Sequence, residues 1–446
     1  MTRFRMTLLA LALAVSLVLP AAATASPTQF TIFEAPRELA SGDGALRAAT
    51  YDEIQALGVS HLRVLLYWNS VAPANDAKST PAGDLSDPNA GYRWEAYDRV
   101  IREAQQRGIR VLVTLTGPVP RWATAHHKGH TYKPSRSKFQ QFATAAGRRY
   151  GDAVDSWTVW NEPNHPQFLT PQFVKGRPYS PGLYRGLYRA GLRGLRASGN
   201  GGDHVLAGET APRGTPRVVA PVTFARRFFQ GKKLRIDGYA HHPYTTRSGP
   251  FFRPPDRTDV TIGVLSRLTR ALDRYSTHRR LGLYLTEFGI QSKPDPFVGV
   301  TQARQAEYRS IAERIAYRNP RVRAFSQYML RDDAPRPGSR YARYGGFESG
   351  LRTSGGAEKA AYAGFRLPLV ADKRGSRVTL WGLARPATGA TQVAIDYRNR
   401  GSKTWHYLKG DTTDARGYFT TRSAHRRGRS YRVRWNGFTG PRTRAY

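Results

Sequence analysis

Two carboxylic acids about 125 residues apart, Glu162 and Glu287, each close a strand-like run. The first stands in TVWNEPNHPQF (residues 158–168) and the second in LGLYLTEFG (residues 281–289). Two carboxyl groups facing one gap can cleave an acetal. One gives a proton to the leaving oxygen while the other attacks or stabilises the anomeric carbon. Singly, either acid has an ordinary explanation: Asn and Pro are common turn residues, and a carboxylate at a helix N-terminus is favoured by the dipole. Their matched placement carries the argument.

That placement depends on the elements around them. Eight β-branched or aromatic runs recur at 30–35, 61–68, 109–117, 154–162, 204–210, 236–244, 281–289 and 322–330. Near-continuous apolar runs suit strands buried on both faces. Amphipathic helical stretches separate them at 92–108, 138–151, 180–199, 263–276 and 301–319, and GGAEKAAYAGF follows the eighth run. This alternation predicts an α/β fold, a (β/α)8 barrel over residues 26–368. No glycine-rich phosphate loop follows the first run, which argues against a doubly wound open sheet. A barrel builds its active site at the C-terminal strand ends. Strands four and seven lie three units apart, and at roughly 43 residues per unit that predicts a spacing of about 128.

WNEPN followed by LTEFG resembles glycoside hydrolase clan A, over about three quarters of the chain. With TGPVPRWA, the likeness points to families 39 and 5, among secreted bacterial members acting on exopolysaccharide or β-glycans. The resemblance implies that Glu162 is the general acid/base and Glu287 the nucleophile, with net retention. It implies that Asn161 binds the sugar 2-hydroxyl and that Arg63 sits beside the nucleophile. It also implies a His and a Tyr after strand six, where the chain reads His241-His242-Pro243-Tyr244. Alternation beside a proline leaves the histidine open, with His242 and Tyr244 preferred. The clan's tryptophan after strand eight is replaced by FSQYMLRDD, so Gln327 and Tyr328 occupy that region, with Asp332 and Asp333 close by. Trp68 and Trp122, near strand ends, and Tyr328 offer flat apolar surfaces for sugar C–H faces. Glu209 is a further rim carboxylate, as a substrate contact or an ion pair.

Adjacent strand histidines point to opposite faces, so His241 and His242 with His126, His127 and His130 make a poor zinc set. No metal or cofactor is expected. The chain has no cysteine, which excludes thiolate sites and requires an extracellular protein to rely on its core. Residues 1–25 carry Arg3 and Arg5, an apolar run and Ala23-Thr24-Ala25, the pattern of a secretory signal peptide. A secreted or wall-associated location follows as an expectation.

From 369 to 446, short alternating runs with Gly, Asp and Asn turns predict a small antiparallel β-sandwich of immunoglobulin-like size. Residues 370–446 hold 17 Lys/Arg against 4 Asp/Glu, within a net charge of +38 for the whole chain. No nucleic-acid-binding signature accompanies that charge. A polysaccharide substrate and an anionic wall polymer are therefore the expected partners. A non-hydrolytic glycan-binding protein and a transglycosylase would use the same residues and stay open. So do the sugar, the linkage and the choice between internal and terminal cleavage.

Overall fold

The structure is a computed structural model, and it describes residues 26–446 apart from 27, 231, 232 and 279. The expected signal peptide, 1–25, lies outside the described residues. Eight parallel strands close into a barrel: β1 (Phe30–Glu34), β2 (His61–Tyr67), β3 (Arg110–Thr116), β4 (Ser156–Val159), β5 (His204–Thr210), β6 (Gly238–His241), β7 (Leu283–Leu285) and β8 (Val322–Tyr328). Each falls inside one of the expected runs. Their outward side chains pack under the helices, and Ile32, Leu112, Leu206 and Ala324 fill the interior below the site.

The helical layer contains α1 (Gly44–Ala56), α2 (Glu95–Gln106), α3 (Arg136–Tyr150), α4 (Ser180–Ala197), α5 (Pro221–Phe229), α6 (Ser266–Tyr275), α7 (Gln302–Tyr317) and α8 (Ala360–Arg366). Asp43, Ser135 and Thr301 cap three of them through side-chain oxygens, satisfying backbone N–H groups that have no intrahelical partner. The sequence pattern misses α1 and α5. Only Thr50, Tyr51 and Ile54 of α1 are buried, too sparse a stripe to stand out, and α5 is a nine-residue helix.

The remainder forms two facing antiparallel sheets. Strands β9 (Leu369–Arg374), β10 (Arg377–Leu383) and β13 (Tyr418–Ala424) make one, and β11 (Gln392–Arg398), β12 (His406–Thr412) and β14 (Ser430–Trp435) with two short edge pieces make the other. Leu380, Ile395, Phe419 and Val433 lie in the core between them.

The sandwich is fastened to the barrel through α7. Ile311 of this helix packs with Val370, Trp381, Leu383 and Tyr418 of the sandwich. Beneath that contact Glu313, fully buried, accepts from Arg309 Nη1 at 2.6 Å and from Arg385 of the segment after β10. Arg309 Nε donates in turn to Gln327 Oε1 of β8 at 2.8 Å, and both guanidiniums lie 4.4 Å from the Phe365 ring centroid. Gln327 thus serves this junction and does not face the barrel mouth. Removing one partner of a buried ion pair leaves a costly uncompensated charge. Arg385→Met should therefore lower unfolding free energy by about 3 kcal/mol in urea titrations, near the low end because Arg309 still pairs with Glu313.

Candidate active site

The barrel mouth is organised around Arg63. Alternation along β2 turns it inward with Leu65 and Tyr67, and its side chain is fully buried. Its Nη1 donates to Glu34 Oε1 and to Glu287 Oε2, both at 3.0 Å. Nη2 donates to Glu209 Oε2 and to Asn161 Oδ1, both at 2.7 Å, while Nε reaches Glu209 Oε1 at 3.1 Å. One guanidinium therefore ties together the ends of β1, β4 and β5 and the segment after β7.

Two irregular strand ends make this possible. At β5 the register with β6 shifts between Gly208 and Thr210, and Gly208 and Glu209 have φ of 110° and 48°. Such a bulge inserts one residue and re-aims the next side chain, which turns Glu209 onto Arg63. A Cβ at Gly208 would stand 2.4 Å from the Ala240 carbonyl oxygen, so glycine is required there. At β4, Trp160 has φ 73° and Glu162 φ 37°. The turn sends the Trp160 indole outward against Phe139. Asn161 and Glu162 are left on the wall of the cavity.

The two sequence-singled acids meet across one imidazole. His242 Nδ1 lies 3.0 Å from Glu162 Oε1 and 3.7 Å from Glu287 Oε2. Those two legs cap the separation of the two carboxyl oxygens at about 6.7 Å. Tyr244 donates to Glu287 Oε1 at 2.7 Å. Both Glu287 carboxyl oxygens are thereby bonded, one to a phenol and one to a guanidinium. His241 faces the other way, its ring nitrogens 2.9 Å from Thr210 Oγ1 and the Val260 carbonyl oxygen. Strand alternation thus survives to the edge of the proline and decides between the two histidines.

The cavity above measures about 680 Å³. Its aromatic wall is Tyr67, Tyr97, Phe168, Tyr244, Tyr328 and Phe347. Tyr328 lines it as expected, edge-on to Tyr244. Trp68 and Trp122 do not. Both are fully buried behind the barrel wall, where Trp68 stacks on Phe142 and meets Trp122 edge-on at 5.7 Å. The physical reason is parity: residue 68 stands an odd number of positions from inward Arg63, so its ring faces the helices. The same count favours Tyr67, which the sequence reading passed over. Asp332 and Asp333 are also structural. Asp332 is buried against Lys359 Nζ at 2.8 Å, and Asp333 accepts from the Phe347 N–H at 2.7 Å and pairs with Arg37.

Glu34 is a second cavity residue that sequence reasoning missed. Its signal was the one used for the others, a carboxyl at the end of the first run. Burial raises its pKa to about 8, with the Arg63 guanidinium opposing and the Glu287 charge adding to the rise. Burial works against the charge of Arg63 too, but Glu209, Glu34 and Glu287 outweigh it and hold its pKa well above the ordinary value. Burial likewise disfavours protonation of His242, yet the Glu287 charge and the Glu162 hydrogen bond raise its pKa overall. Among the described residues no group of three or more His, Cys, Asp or Glu is placed to hold a metal ion.

Residues 50–202, about a third of the chain, match glycosyl hydrolase family 1. Over 114 residues the chain is 31% identical to beta-glucosidase 47 of Arabidopsis thaliana, which covers 25% of this chain and 20% of the relative. A beta-glucuronidase from Bacteroides uniformis superposes with a TM-score of 0.50 at 11% identity, over 94% of this chain and 46% of its own. Over that third of its length the chain is similar to glycoside hydrolases of clan A. The matched family is family 1, so the expectation of families 39 and 5 is not supported. The chain spans a fifth of the glucosidase and under half of the glucuronidase, and the latter's likeness is one of fold.

Glu34 supplies a test of the electrostatics. Its folded pKa lies above the unfolded carboxyl value of 4.5, so the native state binds the extra proton between those limits. Its stabilising contribution is complete below about pH 4.5 and is lost as pH rises through about 8. Glu34→Gln cannot ionise. Its stability relative to wild type should rise from about pH 5 to about pH 9 and then level off, as chemical unfolding across that range would show.

Proposed function

We propose that this protein is a secreted, retaining glycosidase that cleaves β-linked polysaccharide or exopolysaccharide with Glu162 and Glu287. The observation carrying the reading is the approach of both carboxylates to one imidazole nitrogen, at 3.0 and 3.7 Å. The limit of about 6.7 Å on that one oxygen pair admits the roughly 5–5.5 Å of retaining enzymes and overlaps only the lower edge of the roughly 6.5–9.5 Å of inverting ones. The beta-glucosidase likeness supports a β-linked substrate.

In this reading Glu287, oriented by Arg63 and Tyr244, attacks the anomeric carbon as Glu162 delivers a proton to the glycosidic oxygen. A glycosyl ester on Glu287 results and the leaving sugar departs. Glu162, now ionised, takes a proton from water, and that water attacks the same carbon and releases Glu287. His242 Nδ1, 3.0 Å from Glu162 Oε1, holds that carboxyl group in position while its proton leaves on the departing sugar. Asn161 spends its carbonyl oxygen on Arg63 and keeps its amide for a sugar hydroxyl, a contact that tightens in the transition state.

Two further parts of the proposal rest on sequence. The apolar segment with its Ala-Thr-Ala end supports export, and N-terminal sequencing of protein from the culture medium should begin near Ser26. The basic sandwich supports attachment to an anionic wall polymer.

On an aryl β-glycoside panel, Glu287→Gln should lose at least about 10³-fold in kcat. Glu162→Gln should lose about 10²–10⁴-fold with poor leaving groups and far less with acidic ones, because only the former need the proton. Proton NMR of the first-formed anomer should show retention. An inverted product would remove the double-displacement mechanism.

A further inference from the structure

The outer face of the β11–β12–β14 sheet contains a groove of about 400 Å³ that the barrel chemistry does not use. Its floor is Ala394 and Gly410, which face each other across β11 and β12. Tyr407 forms one wall at 62% exposure, and Arg434, paired across the strands with Thr439, forms the other, while the Phe438 ring at the groove's end lies 3.9 Å from the Arg366 guanidinium.

The cation in this groove is held in advance. Arg434 donates Nε to Asp396 Oδ2 at 2.8 Å and Nη2 to Asp396 Oδ1 at 3.0 Å, while Arg432 Nε reaches the same carboxylate at 2.9 Å. Asp396 is itself buried, and two arginines lower its pKa against the effect of burial. The fork leaves Arg434 Nη1 uncommitted among the described contacts, with the guanidinium plane fixed at the groove. A pre-oriented planar donor loses little side-chain entropy when it meets a carboxylate or sulfate. Asp396 is already neutralised twice, so it does not repel such a ligand.

We propose that this groove binds a segment of acidic polysaccharide, with a sugar ring against Tyr407 and a uronate or sulfate group on Arg434. The aromatic wall supplies the apolar surface that the C–H face of a pyranose fits. The charge balance of the sandwich, 17 basic against 4 acidic residues, supplies the complementarity. A flat glycine-and-alanine floor admits an extended chain across the strands. The site deepens the reading of a polysaccharide-directed protein and rests on it. It would hold substrate near the barrel, because α7 fixes the sandwich rigidly to it. Tethering of that kind raises the local concentration of cleavable chain without new contacts at the active site.

The test uses the full-length protein and defined probes: oligogalacturonate, a neutral β-glucan oligosaccharide and single-stranded DNA, titrated by calorimetry at low and at physiological salt. Expected are binding of oligogalacturonate in preference to both other probes and a Kd at least about tenfold weaker in Tyr407→Ala and in Arg434→Gln, about 1.4 kcal/mol. Added salt should weaken wild-type binding more than that of Arg434→Gln. A control, Arg257→Gln with Arg270→Gln on the far loop and α6, should leave Kd unchanged. Near-equal loss in the control and groove variants would mean diffuse charge alone and would overturn the proposal. So would DNA binding as tight as oligogalacturonate binding, or Tyr407→Ala having no effect. Hydrolysis of a small aryl glycoside, measured in the same variants, should stay at wild-type level. Loss of oligogalacturonate binding with that activity intact fails the groove alone, whereas absent aryl-glycoside activity in wild type fails the catalytic reading alone.

Discussion

A single guanidinium, carried by the second strand and buried inside the barrel, sets the order of its mouth. Arg63 meets three carboxyl groups and one amide oxygen, from four parts of the chain that are far apart in sequence. Taking such a charge out of water costs several kcal/mol, and only good geometry with further hydrogen bonds repays it. Each partner must therefore be held by its own strand end. That requirement explains why the chain tolerates left-handed backbone at Trp160, Glu162 and Glu209, residues that ordinarily avoid it. The charges do not cancel one for one, and burial settles the remainder by keeping Glu34 protonated at neutral pH.

The fold was legible because its signal is repetitive. Eight apolar runs alternating with amphipathic ones leave few architectures, and each strand lies inside a run read from sequence. The positions of Glu162, Glu287 and Asn161 were legible for a related reason, since strand ends are countable, whereas Arg63 inside its strand was reached only through the resemblance. What escaped depended on one-residue detail. Trp68 was expected in the cavity although its parity with Arg63 places it behind the wall. Glu209 would point outward under strict alternation, and only the Gly208 bulge brings it in. Glu34 had a readable position, but nothing in the sequence distinguishes a carboxyl under an arginine from one in solvent.

The sandwich and the barrel share one buried seam. Helix α7 carries Arg309 and Glu313 toward both, so the link from Arg385 runs without a break to Gln327 in the strand that ends at Tyr328. Gln327 in turn donates to the carbonyls of Tyr328 and Ser349, bracing the loop beside the cavity. The C-terminal sheets are thus continuous with the scaffold that shapes the aromatic wall, and this gives structural reason for a rigid pair of domains.

The bulge at Gly208 and Glu209 bears on how such a barrel can change over time. Replacing Glu209 removes its bonds to Arg63 and Thr114, and Gly208 admits no side chain, but losing a residue restores even pleating and swings the carboxylate through the wall into the helical layer. Length in this strand is consequently constrained together with the identity of Gly208. Divergent copies of the chain would be expected to vary in their cavity-facing letters while preserving the count between the fourth and fifth strand ends.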